Sequence, residues 1–248
     1  MTSTIRFRWR AFDTFSAPAG ATIGPTIPFF DGSGPDSDER VTDRGEGQIV
    51  DWLVGMRPAR ELLLEALGLP AGTYVQTGIV EPLIGRNRRI SPGDIDLIFV
   101  PDPRHAISIQ VKRVRVVAET THRDSTPGRQ LGNITHLVEQ ANGSREIGFC
   151  ENYAMVLIEC YGVQRSDYNF LARGSSPGVF RRIYHMTWDQ PIHPDVGLIF
   201  FEITQPTRSS VDRSGMLAVC VDKRATQLDQ PPEITGRVRQ LVARRASR

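Results

Sequence analysis

The sequence has few cysteines and no long apolar run, and each of these absences removes a class of protein. Three cysteines occur in 248 residues, at Cys150, Cys160 and Cys220. An odd number at wide spacing argues against a disulfide framework and against a cysteine-based zinc site. No stretch approaches the roughly 18 apolar residues of a membrane span, and no secretory signal pattern opens the chain. We therefore expect a cytoplasmic protein without a membrane partner.

Charge and histidine spacing are equally unremarkable. The formal net charge is +2 at pH 7, so a nucleic-acid surface would have to come from local clusters of arginine and lysine. The five histidines show no paired spacing typical of metal sites.

Residues 174–178 match the Gly-x-Ser-x-Gly pattern of serine hydrolases. Pro177 follows the serine, however, and has no N–H to donate to an oxyanion, so we interpret this segment as a loop.

Hydrophobic periodicity predicts a chain that alternates helices and strands. Residues 1–40 predict an N-terminal strand and a loop rich in glycine, proline and serine. Helical spacing begins near Gly45 and should end or kink at Pro58, before a second helix over 59–67. The later predicted elements are strands over 74–84, 95–100 and 106–117, a helix over 131–141 stopped by Asn142-Gly143, a buried strand over 154–161, and strands near 179–188, 196–204 and 216–221.

This order predicts an α/β fold around a mixed sheet. We divide the chain into an N-terminal extension over 1–40 and a core over 41–165. Additional strands over 166–235 continue or abut the core sheet, and a basic, helix-prone tail covers 236–248.

Two of the predicted strands carry polar residues at alternate positions. A turn at residues 101–103 separates them, so we expect a hairpin. Asp94 and Asp96 share one face of the first strand, and Gln110 and Lys112 share one face of the second. A solvated face of an amphipathic hairpin would give the same spacing. The apolar residues on both sides of Lys112 favour a functional interpretation.

These residues resemble the motif of the PD-(D/E)XK nuclease superfamily. The resemblance is carried by Pro92, by Asp94 or Asp96, and by Gln110-Val111-Lys112, and it covers roughly residues 45–162. The form Ile-Gln-Val-Lys-Arg, with glutamine in the usual acid position, is most similar to the Mrr-type restriction endonucleases. The resemblance implies a restriction-endonuclease-like core, in which helices flank a central mixed β-sheet, with extra C-terminal strands.

The resemblance also implies a metal-dependent nuclease that hydrolyses phosphodiester bonds with Mg²⁺ or Mn²⁺. Asp96, Gln110, Lys112 and Glu46 would be the catalytic residues. The metal would be held by Asp96, the Gln110 amide oxygen, the Val111 carbonyl and Glu46, with Asp94 as an alternate for Asp96. Asp96 is preferred because it lies inside the strand. Lys112 would stabilise negative charge on the phosphate or help to deprotonate the attacking water.

Glutamine at position 110 is the main departure from the superfamily pattern. A neutral amide removes one negative charge from the metal site, which makes Glu46 more necessary. On the resemblance alone, Gln110→Glu is expected to preserve cleavage because it restores a carboxylate. The alternative hypothesis is a nuclease-like fold whose metal site has decayed and which only binds nucleic acid or a protein partner.

The expected partners follow from the same resemblance. DNA is a better candidate substrate than RNA, in a restriction or phage-defence role. One such site cuts one strand, so cleavage of both strands requires a homodimer, a partner protein or two sequential nicks. Arg88, Arg89 and Arg113 lie near the proposed site in the sequence and are predicted to contact phosphates.

Overall fold

Runs of β-branched and aromatic residues form the centre of the protein, a mixed β-sheet flanked by helices. The computed structural model describes residues 21–23, 27–28, 46–79, 94–117, 128–163, 179–206 and 214–246. The strands are β1 (Ala21–Ile23), β2 (Ile27–Pro28), β3 (Tyr74–Ile79), β4 (Ile95–Asp102), β5 (His105–Val117), β6 (Glu151–Val163), β7 (Gly197–Pro206) and β8 (Ser214–Lys223). The helices are α1 (Glu46–Gly55), α2 (Arg57–Leu67), α3 (Gly128–Ile147), α4 (Val179–Trp188) and α5 (Pro232–Ala246).

The strand order of the sheet is β1-β8-β7-β6-β5-β4-β3, and β2 also pairs with β8. Neighbours β5, β6 and β7 are parallel, while the β3–β4, β4–β5 and β7–β8 pairs are antiparallel. Parallel neighbours need a crossover connection, and α3 and α4 provide the two that are required here. The expected hairpin between β4 and β5 is confirmed. Of the two arrangements left open for the later strands, β7 and β8 adopt the one that continues the sheet.

Alternate residues of the strands face two different helix layers. Ile107, Ile109 and Val111 of β5 belong to the apolar cluster that includes the buried side chains of α1 and α2. Val114, which has the opposite parity, belongs to the cluster under α3 and α4. Residues 152–159 of β6 are all buried, as predicted for a strand that is covered on both faces.

Helices α1 and α2 are separated at Met56, as the sequence predicted from Pro58. Met56 has an extended backbone, and Pro58 lies in the first turn of α2, where no N–H is needed. The helix ends at Gly68, whose φ of 72° is the left-handed conformation that glycine adopts without strain. Buried leucines hold α2 on the sheet, and each contributes about 1.5–3 kcal/mol relative to an exposed one.

The predicted strand near 179–188 is wrong, because these residues form α4. Its β-branched and aromatic residues suggested a strand, but Ile183, Tyr184 and Thr187 are buried at a spacing that places them on one side of a helix. The Thr187 hydroxyl donates a hydrogen bond of 2.7 Å to the carbonyl of Ile183, one turn earlier. This apolar side packs on residues of β6 and β7, and that packing decides the conformation.

The predicted stop of α3 at Asn142-Gly143 is also wrong. The helix continues to Ile147 and ends at Gly148, which has a φ of 99°. The Asn142 side chain is used in tertiary contacts instead of a turn. Its Nδ2 donates to the carbonyl of Pro191, and its Oδ1 accepts from the N–H of His193, both at 3.0 Å.

Several expectations fall outside the described residues. These are the N-terminal strand and most of the loop after it, the second half of the predicted strand over 74–84, and the Gly-x-Ser-x-Gly segment. The basic tail predicted from Gly236 lies within α5, whose residues Ile234, Val238 and Leu241 pack against Ile98 and Val100 of β4. No helix within the described ranges is long and apolar enough to cross a bilayer.

Gly197 at the start of β7 packs closely against Tyr153, and this contact can be tested. A Cβ atom there would lie 2.3 Å from the ring of Tyr153 and 2.7 Å from the backbone nitrogen of Ala225. We expect Gly197→Ala to lower the free energy of unfolding by about 1–3 kcal/mol, because the buried ring has to move.

Gly236→Ala is the matched control, since Gly236 lies inside α5 and a Cβ there meets nothing within 4 Å. It should raise the free energy of unfolding by about 0.5–1 kcal/mol, because alanine costs less backbone entropy in a helix. Urea denaturation of both variants measures the two effects. Equal stability of the two variants would contradict the packing described for Gly197.

Candidate active site

The β4–β5 hairpin places Asp96 next to Gln110. The register pairs Leu97 with Ile109, so the next residues outward along the two strands are Asp96 and Gln110. Leu97 and Ile109 face α1 and α2. Asp96, Gln110 and Lys112 alternate with them and therefore share the opposite face, which α3 covers.

The side chain of Asp96 links β4 to the backbone of β5. Its Oδ2 accepts a hydrogen bond of 2.8 Å from the backbone N–H of Val111. A hydrogen bond to a charged group contributes about 1.5–3 kcal/mol, so this contact fixes where β4 begins to pair with β5. The carboxylate is half-buried.

Gln110 is fully buried, and the nitrogen and the oxygen of its side-chain amide differ in their hydrogen bonding. Its Nε2 donates to the hydroxyl of Ser144 on α3 at 2.9 Å and to the carbonyl of Asp94 at 3.3 Å. Its Oε1 is buried and has no hydrogen-bond partner in the structure. Leaving a buried acceptor unsatisfied costs about 1–3 kcal/mol, and such an atom in a native fold calls for a reason.

Lys112 and the alternate acid Asp94 differ in burial. Lys112 is half-buried between Val111 and Arg113, both of which are buried. Asp94 is exposed and lies one residue before β4, which agrees with the preference for Asp96.

Glu46 is the first residue of α1, but its side chain lies outside the described part of the structure. Helix α1 packs through Ile49, Val50 and Leu53 against the face of the sheet opposite to Gln110. The structure therefore brings Asp96, Gln110 and Lys112 onto one face and does not show Glu46 joining them.

Arg113 does not lie where a phosphate contact would require it. Its Nε donates to Oε2 of Glu159 on β6 at 2.7 Å, and the two side chains are 8% and 1% exposed. Arg115 reaches the same carboxylate oxygen at 3.7 Å. Because side chains alternate along β5, Arg113 lies on the opposite face from Lys112. Arg113 is buried in an ion pair there and is not exposed as the phosphate prediction required. Arg88 and Arg89 lie outside the described residues.

The polar groups on this face include the types of oxygen ligand that a hard divalent cation prefers. Mg²⁺ prefers carboxylate and carbonyl oxygens and retains several water ligands. Asp96 supplies a half-buried carboxylate, and Gln110 supplies an amide oxygen that the protein leaves without a donor. Among the described residues no three His, Cys, Asp or Glu side chains cluster, so a metal here would depend on the amide and on water.

Ser144 is the residue that sequence reasoning missed. The predicted stop at Asn142-Gly143 ended the helix just before Ser144. Leu137, Ala141 and Ser144 have the spacing of one helical face, and all three are buried. Extension of that apolar stripe by one turn was the signal that could have found it.

Comparison with known proteins adds no relationship: neither a protein-family model nor a curated protein sequence matches the chain.

The burial of Arg113 predicts a role in stability. Arg113→Ala should lower the free energy of unfolding by about 3–5 kcal/mol, because it leaves the Glu159 carboxylate buried without this partner. Arg57→Ala is the control, since Arg57 forms an exposed pair with Glu61 one helical turn away. That variant should unfold like the parent protein in guanidinium titration. A small loss in Arg113→Ala would instead return Arg113 to the set of candidate surface contacts.

Proposed function

We propose that the protein is a metal-dependent nuclease with its active site on the β4–β5 hairpin. The observation that carries the proposal is the buried Oε1 of Gln110, which has no hydrogen-bond partner and belongs to the residue opposite Asp96. The order α1, α2, β3, β4, β5, α3, β6 supports the proposal, since the resemblance implies a mixed sheet flanked by helices. The motif residues resemble the PD-(D/E)XK superfamily and its Mrr-type members.

Each residue has a role that its position supports. Asp96 and Gln110 would hold Mg²⁺ or Mn²⁺ through a carboxylate and an amide oxygen. When bound, the ion would supply the charge that polarises a phosphate and lowers the pKa of a water ligand. The Lys112 ammonium group, on the same face, would stabilise negative charge on the phosphate. The Val111 carbonyl and Glu46 are the remaining ligands that the resemblance implies.

Residue 112 is a lysine in a protein whose cationic residues are nearly all arginines, which suggests that this position requires lysine specifically. The sequence has 30 cationic side chains, and only Lys112 and Lys223 are lysines. Arginine is therefore the ordinary cation of this protein wherever charge alone is required. Lysine differs from arginine because its ammonium group is compact and can lose a proton. A lysine in the middle of a mostly buried strand fits a catalytic role better than a general surface charge.

DNA remains the substrate that the resemblance favours, with a role in restriction or phage defence. Cleavage of one strand requires one site, so a second copy or a partner protein would be needed to cut both strands together. Phosphate contacts are expected from cations outside the ion pair of Arg113 and Glu159.

The alternative is a nuclease-like fold that binds nucleic acid or a protein without cutting. One observation favours it: Asp96 and Gln110 already hold structural hydrogen bonds, to the N–H of Val111 and to Ser144. These contacts would persist in a protein whose metal site had decayed. Cleavage assays separate the two hypotheses.

The test is cleavage of supercoiled plasmid, linear duplex and single-stranded DNA with Mg²⁺, with Mn²⁺ and with EDTA. We expect metal-dependent cleavage by the parent protein, reduced at least about 100-fold in Asp96→Asn and in Lys112→Ala. Asparagine keeps an oxygen that can accept from the N–H of Val111, so Asp96→Asn removes the charge with little change of the hairpin. Lys112→Ala should still bind Mn²⁺.

Two controls match these variants in chemistry. Asp102→Asn changes an exposed acid at the other end of β4, and Lys223→Ala changes the only other lysine, which bonds the carbonyl of His193. Both should cut like the parent protein. Asp94→Asn compares the alternate acid directly. Undiminished cleavage in Lys112→Ala rejects this site, and absence of cleavage on every substrate with both metals supports the binding-only alternative.

A further inference from the structure

The side-chain amide of Gln110 has only one orientation that suits its surroundings. Both protons of Nε2 have acceptors, Ser144 Oγ at 2.9 Å and the carbonyl of Asp94 at 3.3 Å. A hydroxyl can donate or accept, so Ser144 alone would tolerate either orientation. The Asp94 carbonyl can only accept. Rotating the amide by half a turn would set two carbonyl oxygens against each other.

Burial makes this preference strong. Gln110 is 0% exposed and Ser144 is 1% exposed, so losing a partner of Nε2 leaves a buried donor unsatisfied. Electrostatic differences are larger in such a setting than at the surface. The orientation that satisfies Nε2 is also the one that leaves Oε1 without a donor.

We infer that Ser144 and the main-chain carbonyl of Asp94 are positioning groups that fix the Gln110 amide and so present Oε1 as a metal ligand. The assignment of Oε1 to a metal rests on the nuclease function proposed above, whereas the fixed orientation does not. Ser144 acts through Gln110 and touches neither the ion nor the substrate. It corresponds to the outer partners that orient ligands in metal sites generally.

The same contacts make position 110 specific for an amide. A carboxylate there has no N–H for Ser144 or for the Asp94 carbonyl, and it adds a second negative charge beside Asp96. The expectation from the resemblance alone, that Gln110→Glu preserves function, is therefore reversed. In the metal-free protein at pH 8, Gln110→Glu should lower Tm by roughly 4 °C or more. A Tm equal to that of the parent protein would overturn the amide preference.

The orientation is tested first in the metal-free protein by NMR. The Gln110 side-chain amide is assigned from the resonance pair that disappears in Gln110→Met. Ser144→Ala should shift one proton of that pair upfield, because its hydrogen bond to Oγ is lost. Ser108→Ala is the matched control, since Ser108 is buried on the same face of β5 but bonds Asn152. An unchanged pair in Ser144→Ala would overturn the assigned contact.

Metal affinity is measured next, by calorimetric titration of the full chain with Mn²⁺. Ser144→Ala should weaken Mn²⁺ binding about tenfold, while Ser108→Ala should stay within about twofold of the parent protein. Equal affinity of Ser144→Ala and the parent, or equal losses in both serine variants, would overturn the positioning role.

The two readouts keep this inference separate from the proposed function. A parent protein that binds no Mn²⁺ would refute the metal site and with it the role of Oε1 as a ligand. The NMR shift would still decide whether Ser144 accepts the hydrogen bond from Nε2 of Gln110. A parent protein that binds Mn²⁺ while Ser144→Ala leaves both readouts unchanged would retain the nuclease proposal and refute the inference.

Discussion

The hydrogen bond from the N–H of Val111 to the carboxylate of Asp96 is the contact on which the candidate site depends. It aligns the first residues of β4 with the middle of β5. Because side chains alternate along a strand, a shift of one residue would move Gln110 and Lys112 to the face of α1 and α2. The apolar residues between them oppose such a shift, since Ile109 and Val111 would then face α3. Core packing and site geometry are thus set by one register.

Much of the fold was predictable because its signals are local. The hairpin, the break at Met56 and the end of α2 at Gly68 follow from turn residues, proline and glycine. The strand prediction at 179–188 was wrong because β-branched and aromatic residues also suit a crossover helix that packs on the sheet. The end of α3 failed because Asn142 bonds a distant loop. In both cases a tertiary contact outweighed a local preference.

In the candidate site, too, local features were predictable from the sequence and tertiary contacts were not. Alternation predicted that Gln110 and Lys112 share a face of β5, and the pairing of β4 with β5 adds Asp96 to that face. Sequence could not reveal that Arg113 pairs with Glu159 across 46 residues, or that Ser144 meets Gln110 across 34. Neither contact has a local pattern. Both depend on the parallel pairing of β5 with β6 and on the helix that joins these strands.

The position of β5 between an antiparallel and a parallel neighbour has a consequence for the order of assembly. Asp96 and Val111 are 15 residues apart, whereas Gln110 and Ser144 are separated by 34. Closing the shorter loop costs less chain entropy, and a hairpin forms within microseconds, before long-range pairing. We therefore expect the carboxylate and the amide to meet in the hairpin before the long-range contacts form. The amide becomes fixed only when α3 docks and the native sheet is complete.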